Sequence, residues 1–493
     1  MPRFVPKWGT AAKERSCSDL RRIESAPDGQ TNHDAVAAKD SQDQLFGYIT
    51  KPGLICGYAS EMTASYMLTI KSAAAVTPSC AHRSRQEEWV LSLAEPRRRR
   101  PGSYHPLMDF SPNPDHELII EAVDAVCAQF DDTYWSERDE KHEFPWAFYD
   151  AMAAGGWVGI AIPEQYGGGG QGITEGALVL NRVAASGAAM NGSTALHLTM
   201  FGLNPVVKFG NDQLKETFLP RAAAGDLHVA FGVTEPDAGT DTSRIITRAT
   251  QDGMGGWIIN GRKLWTSKAL ESEVCLLLAR TDGEPGEFNG LTLFLVDLDP
   301  EYCDIAAIPK VGRNAVASCE VAYDDLPVEA WRMVGERGRG FHHILHGLNP
   351  ERILLSGMAC GIGEVALRRA TAYANERKVF DRLIGANQAI SHPLAKAHME
   401  LNAAKTIMMR AAWLYDNGHD CAELANTAKY LAAEASFFAA DQAMQTHGGL
   451  GYATEYHVER YWREARLQRL APVSQEMTLN FIAQNIMGMP RSY

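Results

Sequence analysis

The sequence contains no Cys-x-x-Cys pair, and its nine cysteines are scattered from Cys17 to Cys421. This pattern argues against a disulfide framework or a zinc site and is typical of small buried thiols in a reducing compartment. Long apolar runs are also missing, because no stretch reaches the roughly 18 apolar residues of a membrane-spanning helix. The net charge of −13 lacks the basic excess that a nucleic-acid surface needs. We therefore expect a cytoplasmic protein with neither a membrane span nor a nucleic-acid partner.

The remaining composition, 45% hydrophobic and 22% charged over 493 residues, supports a large core and more than one domain. Residues 1–107 differ from the rest, because turn formers and charges of both signs predominate there, and we predict a largely disordered extension. One alternative is a mitochondrial transit peptide, which would place the protein in the matrix. The six acidic residues from Glu14 to Asp40 are unusual in such a segment. Another alternative is that translation begins at Met108.

Three further regions have different hydrophobic periods. Residues 108–228 repeat with a helical period, residues 229–336 have the pattern of short strands, and residues 337–493 return to long helices. We predict an α+β fold with an N-terminal helical domain, a middle domain of antiparallel strands and a C-terminal four-helix bundle, since long amphipathic helices need partners along their flanks. The chain has no βαβ alternation, which argues against a doubly wound sheet and a nicotinamide cofactor.

These periods also predict the element boundaries. Strands are predicted at Ile245–Thr250, Trp257–Ile259, Lys263–Trp265, Val274–Ala279, Leu291–Val296 and Cys319–Tyr323. Asn260-Gly261, between two of these runs, is a strong signal for a hairpin turn. In the last region, helices are predicted at Phe341–Arg377, interrupted at Pro350, and at Ala389–Tyr415, Ala422–Thr446 and Ser474–Met487.

The stretch Phe231–Asp241 leads an apolar run into a tight loop. Pro236 fixes its own φ and keeps the preceding residue out of helical space, so a strand should end in a turn here. Gly239 lets a ligand approach the backbone closely, and the hydroxyls of Thr234 and Thr240 can donate or accept hydrogen bonds. These residue types suit a flavin and a phosphate. An ordinary strand followed by a turn is the plain alternative.

Two long motifs resemble signatures of the acyl-CoA dehydrogenases. Residues Gly232–Asp241 are similar to the family's flavin-side signature, except that Arg244 stands where a small residue is usual. Residues Gln445–Glu455, followed by Arg460 and Glu464, resemble the C-terminal signature at every defined position. Three shorter stretches between them also have family-like spacing, at residues 263–267, 376–380 and 387–390. The resemblance extends from about residue 108 to the C-terminus.

This resemblance implies the family's fold and an FAD-dependent enzyme that removes two hydrogens from the α and β carbons of an acyl-CoA. A base takes the α proton, the β hydrogen leaves as hydride to the flavin, and the electrons pass to an electron-transferring flavoprotein. The matching cofactor-binding positions are Val233, Thr234, Thr240, Trp265, Ser267, Arg377, Phe380, Gln388, Gln445 and Gly449. Thr240 also matches a substrate-binding position. The five positions from Arg377 onward would hold the cofactor across a subunit boundary, which implies a homo-oligomer, either a dimer or a tetramer.

The catalytic base is where the sequence departs from the common family pattern. Many members place a Glu shortly before the last helix, but Pro472 occupies that position here, and proline cannot transfer protons. A smaller branch, including isovaleryl-CoA and long-chain dehydrogenases, carries its Glu in a Leu-x-x-Glu-Arg context, which Leu348-Asn-Pro-Glu351-Arg352 resembles. The resemblance implies Glu351 as the base and Arg352 as a contact for acyl-CoA. Alternatively, Glu351 is an acid in the first turn of a helix, facing water. Glu476 is the reserve candidate.

Two other functions remain open at this point. An acyl-CoA oxidase would return the electrons to oxygen, and the difference would lie in the shape of the pocket around the reduced flavin. A catalytically silent protein that binds acyl-CoA or flavin on the same scaffold would be unaffected by Glu351→Gln. The acyl specificity should depend on a cavity near residues 188–198 and 354–360. No metal site is expected, because His342, His343 and His346 have no further ligand near them in the sequence.

Overall fold

The computed structural model describes residues 113–492, so the predictions for residues 1–107 lie outside it. Seven helices in this part of the chain precede the first strand: α1 (Pro114–Cys127), α2 (Asp132–Lys141), α3 (Trp146–Ala154), α4 (Ile173–Val183), α5 (Ala189–Gly202), α6 (Asn204–Phe209) and α7 (Asp212–Ala224). Asn113, Asp131 and Asn211 cap α1, α2 and α7 by accepting a hydrogen bond from the first turn. None of the helices within residues 113–492 is long and apolar enough to cross a membrane.

Helix α4 follows a residue without a side chain, and a distant carboxylate supplies its cap. Asp416 accepts hydrogen bonds from the N–H groups of Ile173 (2.8 Å) and Thr174 (3.0 Å), and from the Thr174 hydroxyl (2.6 Å). A Cβ on Gly172 would lie 2.5 Å from Asp416 Oδ2, so only glycine lets the carboxylate come this close. The first helical region is thereby bound directly to the last.

The middle of the chain forms an eight-stranded sheet. Its strands are β1 (Val229–Gly232), β2 (Arg248–Gln251), β3 (Trp257–Ser267), β4 (Val274–Arg280), β5 (Leu291–Asp297), β6 (Cys303–Ala307), β7 (Ser318–Val328) and β8 (Met333–Val334). They are ordered β6-β7-β3-β2-β4-β5-β8, with β1 beside β4. One face packs on α7, where Leu276 and Leu293 share a cluster with Phe218, and the other face encloses Trp257 and Phe294.

The prediction that all strands are antiparallel was wrong at β4. Strand β1 pairs in parallel with residues Val274–Leu277, and β2 meets the same strand in parallel where Arg248 pairs with Arg280. Periodicity shows which face of a strand is buried but not its direction, and β4 is buried along its whole length. Strands β1 and β2 therefore lie along one edge of β4, and the loop of residues 233–247 departs from that edge and returns to it.

The predicted hairpin at Asn260-Gly261 was also wrong, because β3 continues through these residues. The pairing with β7 shifts register between Ile259 and Gly261, as in a β-bulge, and Gly261 has a φ of +148°. A Cβ on Gly261 would lie 2.5 Å from Thr247 Oγ1. The glycine therefore serves a close backbone approach. The chain reverses instead at residues 252–256, where the N–H of Asp252 donates to the carbonyl of Gly256.

Long helices complete the chain. They are α8 (Gly340–Glu376), α9 (Gln388–Asp416), α10 (Ala422–His447), α11 (Val458–Leu467) and α12 (Gln475–Phe481), with a short hairpin of β9 (Lys378–Val379) and β10 (Arg382–Leu383) after α8. Helix α8 continues through Pro350, where an interruption was predicted, because it is buried against α4, α9 and α10. Helix α11 was not predicted, and the predicted helix Ser474–Met487 is observed as α12 followed directly by the π-helical turn Ile482–Ile486.

Two glycines of α8 let it approach α4 closely. A Cβ on Gly357 would lie 2.6 Å from the carbonyl oxygen of Ala177, and a Cβ on Gly361 would lie 2.4 Å from that of Asn181. Asn181 uses its own amide to donate to the Gly357 carbonyl at 3.2 Å. Helix α8 is thus fixed against the N-terminal helices along the segment that follows Glu351.

Candidate active site

A buried ion pair holds the loop that follows β1. Glu235 and Lys263 lie 2.7 Å apart with side chains 3% and 0% exposed. Glu235 also accepts hydrogen bonds from the N–H groups of Ile246 (2.7 Å) and Thr247 (3.0 Å), and Lys263 donates to the Val233 carbonyl (3.0 Å). Burial alone would raise the pKa of Glu235, but the Lys263 charge and the hydrogen bonds together hold it below its usual value. The ionised pair fixes the first motif against β3.

Strand β3 turns Trp265 outward at a second bulge. The register with β7 shifts between Lys263 and Thr266, and Trp265 adopts a φ of +60° that leaves its side chain 54% exposed. A bulge re-aims a side chain, and a positive φ is strained for an aromatic residue, so both features point to a function for this ring. Ser267 Oγ accepts a 2.9 Å hydrogen bond from Arg313 Nη2 and keeps its own proton to donate.

Five of the predicted cofactor residues lie on β3 or in the loop that follows β1. We call them the strand-side group: Val233, Thr234, Thr240, Trp265 and Ser267. The N–H of Leu264 donates to the Thr234 carbonyl at 2.8 Å, which brings the loop beside Trp265. The Thr234 hydroxyl bonds none of the described residues, and a Cβ on Gly239 would meet nothing within 4 Å. An uncovered aromatic ring, hydroxyls ready to bond and open backbone fit a flat polar ring such as a flavin.

The other five predicted cofactor residues lie apart from this surface. We call them the helix-side group: Arg377, Phe380, Gln388, Gln445 and Gly449. All five are exposed. They gather where α8 and α10 end together, because Tyr373 stacks on His447 with 4.3 Å between ring centroids. Gln388 is the first residue of α9, and Asn387 gives that helix no side-chain cap, so its first N–H groups are open to an anion such as a pyrophosphate.

The hairpin of β9 and β10 presents Phe380 to solvent. Phe380 and Asp381 form its turn with φ values of +52° and +60°, the geometry of a type I′ turn. Neither residue is glycine or asparagine, and Phe380 is 95% exposed. A large aromatic side chain that is held in a strained conformation and is covered by none of the residues between 113 and 492 indicates a contact with another molecule.

Glu351 lies inside α8 and is only 5% exposed, so the alternative of a first-turn acid facing water was wrong. Burial raises the pKa of its carboxyl to about 8, against the opposing charges of Arg352 and Lys429. The carboxyl accepts no hydrogen bond from the residues that the structure describes. A buried and unbonded carboxyl with a raised pKa is suited to take a proton from a bound substrate.

The surroundings of Glu351 and Glu476 distinguish the two candidates for the base. Arg352 donates to Asn349 Oδ1 at 3.0 Å, while its Nε is buried with no partner among the described residues. That nitrogen can donate to a bound ligand. Glu476, the reserve candidate, is exposed, and hydrogen bonds at the start of α12 lower its pKa. Glu351 is therefore the better placed base.

Comparison with known proteins covers all three regions of the chain. Residues 113–226, 230–326 and 338–487 match the N-terminal, middle and C-terminal domains of acyl-CoA dehydrogenases. The chain belongs to the acyl-CoA dehydrogenase family. It is 39% identical over 390 residues to an acyl-CoA dehydrogenase of Mycobacterium bovis, covering 78% of this chain and 99% of that protein.

Other proteins that are similar to this chain have names that describe different reactions. A 3-(aryl)acrylate reductase of Clostridium sporogenes is 31% identical over 373 residues, covering 76% of this chain and 98% of that one. The butyryl-CoA dehydrogenase of Megasphaera elsdenii superposes with a TM-score of 0.74 at 28% identity, covering 77% of this chain and all of that one. The predicted family, three-part fold, FAD cofactor and oxidoreductase class are thereby confirmed.

Two residues of the C-terminal family signature have structural contacts in the interior. Glu464 accepts hydrogen bonds from the Met190 N–H (2.5 Å) and from Asn191 Nδ2 (3.0 Å), and Arg460 donates to the Gly187 carbonyl (2.9 Å). These bonds hold the π-helical turn Ala184–Ala188 and the start of α5. At these two positions the motif therefore marks packing in the interior.

Sequence patterns missed the residues that support the site. Glu235, Lys263 and Arg313 position the strand-side group, and the charge of Lys429, on α10, opposes the raised pKa of Glu351. Glu235 does stand inside the first motif, but its partner lies 28 positions away and becomes apparent only in three dimensions. An isolated Lys in a helix carries no signal of its own.

Neither of the two cavities described below is lined by the residues predicted for the acyl cavity. Residues 188–198 and 354–360 are all buried. A cavity of about 120 Å³ lies beyond the end of α5 and is lined by Met200, Asn204 and Tyr415, among others. A larger depression of about 490 Å³ lies on the sheet domain near Met254 and Arg332 and contains none of the predicted site residues. The position of the acyl cavity therefore stays a prediction.

Proposed function

We propose that the protein is an acyl-CoA dehydrogenase in which Glu351 removes the α proton of the acyl thioester. The observation that carries this proposal is the state of Glu351, which is 5% exposed, unbonded and raised in pKa to about 8. A general base is most effective when its pKa lies near the working pH. The electrons go on to an electron-transferring flavoprotein, as is usual in the family.

Each part of the chain has a defined task in this proposal. FAD, when bound, accepts the β hydrogen as hydride. Trp265 would pack against its ring, Thr234 and Ser267 would hydrogen-bond the ring edge, and Thr240 would contact phosphate or substrate. Arg352 Nε donates to the acyl-CoA, and the burial of Glu351 keeps water from the proton that it takes.

The distance from Glu351 to the helix-side group supports an oligomer. Glu351 lies inside α8 and Arg377 directly follows its last residue, so the rise of the helix separates them by about 39 Å. An FAD whose flavin ring lies beside Glu351 does not extend that far. The helix-side group, exposed in its own chain, therefore serves the FAD of a second copy, in a dimer or a tetramer.

Anaerobic titration with acyl-CoAs of different length and branching tests the proposal. We expect one class to bleach the oxidised flavin absorbance, and Glu351→Gln to slow this bleaching by about 10²–10⁴-fold. Glu476→Gln is the matched control and should bleach at the rate of wild type. Exposure of the reduced protein to oxygen then separates a dehydrogenase, which reoxidises slowly, from an oxidase. Equal bleaching by wild type and Glu351→Gln would overturn Glu351 as the base.

A further inference from the structure

The loop between β6 and β7 brings an arginine to the strand-side group. Arg313 Nη2 donates to Ser267 Oγ at 2.9 Å and also donates to the hydroxyl of Ser318, the first residue of β7. Arginine has donors but no acceptor, so both hydroxyls must accept these bonds and each keeps its own proton. Within residues 113–492 no acceptor takes the proton of Ser267, which therefore remains available to a ligand on the strand-side group.

The loop of residues 308–317, which carries Arg313, is held by three helices. The N–H groups of the two residues that follow Arg313 donate to Asp139 Oδ1 on α2 (3.0 Å) and to Asn191 Oδ1 on α5 (3.1 Å). On the other side, Arg463 on α11 donates to the carbonyl of the residue two positions before Arg313 (2.9 Å). Contacts that do not involve a cofactor therefore fix the arginine beside Ser267.

The positive charge of Arg313 is not neutralised by a neighbouring acid. Asp139 pairs with Arg463 at 2.9 Å, and Glu464 accepts its hydrogen bonds from α5. Arg313 forms no ion pair with the carboxylates that the structure describes, and its Nε is buried without a partner among them. Burial lowers the pKa of Arg313 to about 10, so the guanidinium is still protonated at neutral pH. A full positive charge thus lies one hydrogen bond behind the Ser267 hydroxyl.

We propose that Arg313 is a positioning residue that raises the reduction potential of bound FAD: its hydrogen bond aims the Ser267 proton at the ring edge, and its charge makes that hydroxyl a stronger donor. A hydroxyl that accepts a bond from a cation is polarised and donates more strongly. The proposal rests on the function proposed above, because it requires FAD on the strand-side group.

The direction of the effect follows from the electron balance of the reaction. The C–H bond at the β carbon breaks, its electron pair moves with the hydrogen to the flavin, and the α proton goes to Glu351. Hydride transfer therefore leaves two more electrons and one more negative charge on the flavin. A preorganised donor at the ring edge stabilises this charge in the reduced form more than it stabilises the neutral oxidised ring. Removing Arg313 should lower the potential.

The midpoint potential of the flavin, measured by anaerobic reduction with a reference dye and without acyl-CoA, tests the proposal. Arg313→Met removes the donor and the charge, and Arg313→Gln does the same to the charge while keeping a polar side chain, in case the apolar variant does not fold. Arg313→Lys keeps the charge. Ser267→Ala removes the hydroxyl. Arg337→Met is the matched control, because Arg337 pairs with Asp282 at an exposed site (2.6 Å).

We expect Arg313→Met and Arg313→Gln to shift the equilibrium about tenfold toward oxidised flavin, which lowers the midpoint of a two-electron couple by about 30 mV. Arg313→Lys should restore most of the potential, and Arg337→Met should leave it unchanged. In protein that already carries Ser267→Ala, Arg313→Met should have little further effect, because the hydroxyl through which it acts is gone.

An unchanged midpoint in the Arg313→Met or Arg313→Gln protein overturns the proposal, as does an equal fall in Arg337→Met. A full second fall when Arg313→Met is added to Ser267→Ala overturns the route through the hydroxyl. The measurement needs neither substrate nor base. It therefore decides the role of Arg313 even if Glu351→Gln bleaches at the rate of wild type or no acyl-CoA bleaches the flavin.

Discussion

The strand-side and helix-side groups are built in opposite ways, although the family assigns both to one cofactor. The strand-side group rests on the buried Glu235–Lys263 pair and is anchored within its own chain. The helix-side group is entirely exposed and includes the strained Phe380 at a hairpin tip. The first surface is anchored by buried groups of its own chain, whereas the second is exposed to solvent. A cofactor held between them would link folding within a chain to association between chains.

The largest effect should come from breaking the support of the strand-side group. Lys263→Met leaves the Glu235 carboxylate buried without a counter-charge, and we expect a loss of about 3–5 kcal/mol in the free energy of unfolding. Arg262→Met is the adjacent control, because Arg262 pairs with Glu320 at an exposed site and should cost about 1 kcal/mol or less. Denaturant unfolding measures both. Similar losses in the two variants would contradict the role given to the buried pair.

Two glycine-to-alanine variants, one at the end of β1 and one in the helix-side group, compare the two surfaces through smaller changes in stability. A Cβ on Gly232 would lie 3.1 Å from Cys275 Sγ and from Leu277 Cδ1, so Gly232→Ala should destabilise by about 1–3 kcal/mol. A Cβ on Gly449 would meet nothing within 4 Å, and Gly449→Ala should change stability by about 0.5 kcal/mol or less while weakening FAD binding. Thermal unfolding of the apoprotein and FAD titration measure the two effects. A stability loss at Gly449 would show that the helix-side group is packed within its own chain.

The pH dependence sharpens the contrast between buried and exposed acids. With the pKa of Glu351 raised to about 8, bleaching should rise about tenfold per pH unit below that value and level off above it. A carboxyl whose pKa is raised on folding stabilises the protein fully below its unfolded pKa, and this contribution is lost as pH rises through about 8. Because glutamine does not ionise, the free energy of unfolding of Glu351→Gln should fall less than that of wild type as pH rises through about 8. A rate that is constant from pH 6 to 9 would contradict the assignment.

The smallest effect is expected at the hairpin tip. Phe380→Asn places a residue that tolerates positive φ at an exposed left-handed position, and the apoprotein should gain a few tenths to about 1 kcal/mol. FAD affinity should fall at the same time, because the exposed ring is lost. Thermal unfolding and FAD titration of the same samples separate the two. A destabilised apoprotein would mean that Phe380 packs within its own chain.

The sequence predicted the helices better than the sheet, for physical reasons. The prediction Phe341–Arg377 differs from the observed α8 by one residue at each end, because a long apolar period is a local property. The Asn260-Gly261 signal failed because the glycine serves a tertiary contact with Thr247, which no local pattern contains. Strand direction at β4 was missed because alternation is the same in parallel and antiparallel pairs.

Only those residues of the candidate site that belong to sequence motifs could be predicted. The resemblance gave Trp265, Ser267 and Glu351, and the structure gives the exposed ring, the bonded hydroxyl and the buried carboxyl. Their supports are pairs of residues far apart in the chain, such as Asp139 with Arg463. Such pairs depend on how whole helices pack, so a single sequence does not encode them in any short pattern.

The cap that Asp416 provides for α4 has a consequence for how the chain acquires its structure. The two partners are separated by 242 positions along the chain, so the cap forms only after α9 has been made and has docked. Until then, α4 has two orphaned N–H groups at its start, at a cost of about 1 kcal/mol or more. A fragment that stops before residue 416 would keep this defect permanently. During synthesis, the first helical region therefore lacks the cap of α4 until the C-terminal region has been made and has folded against it.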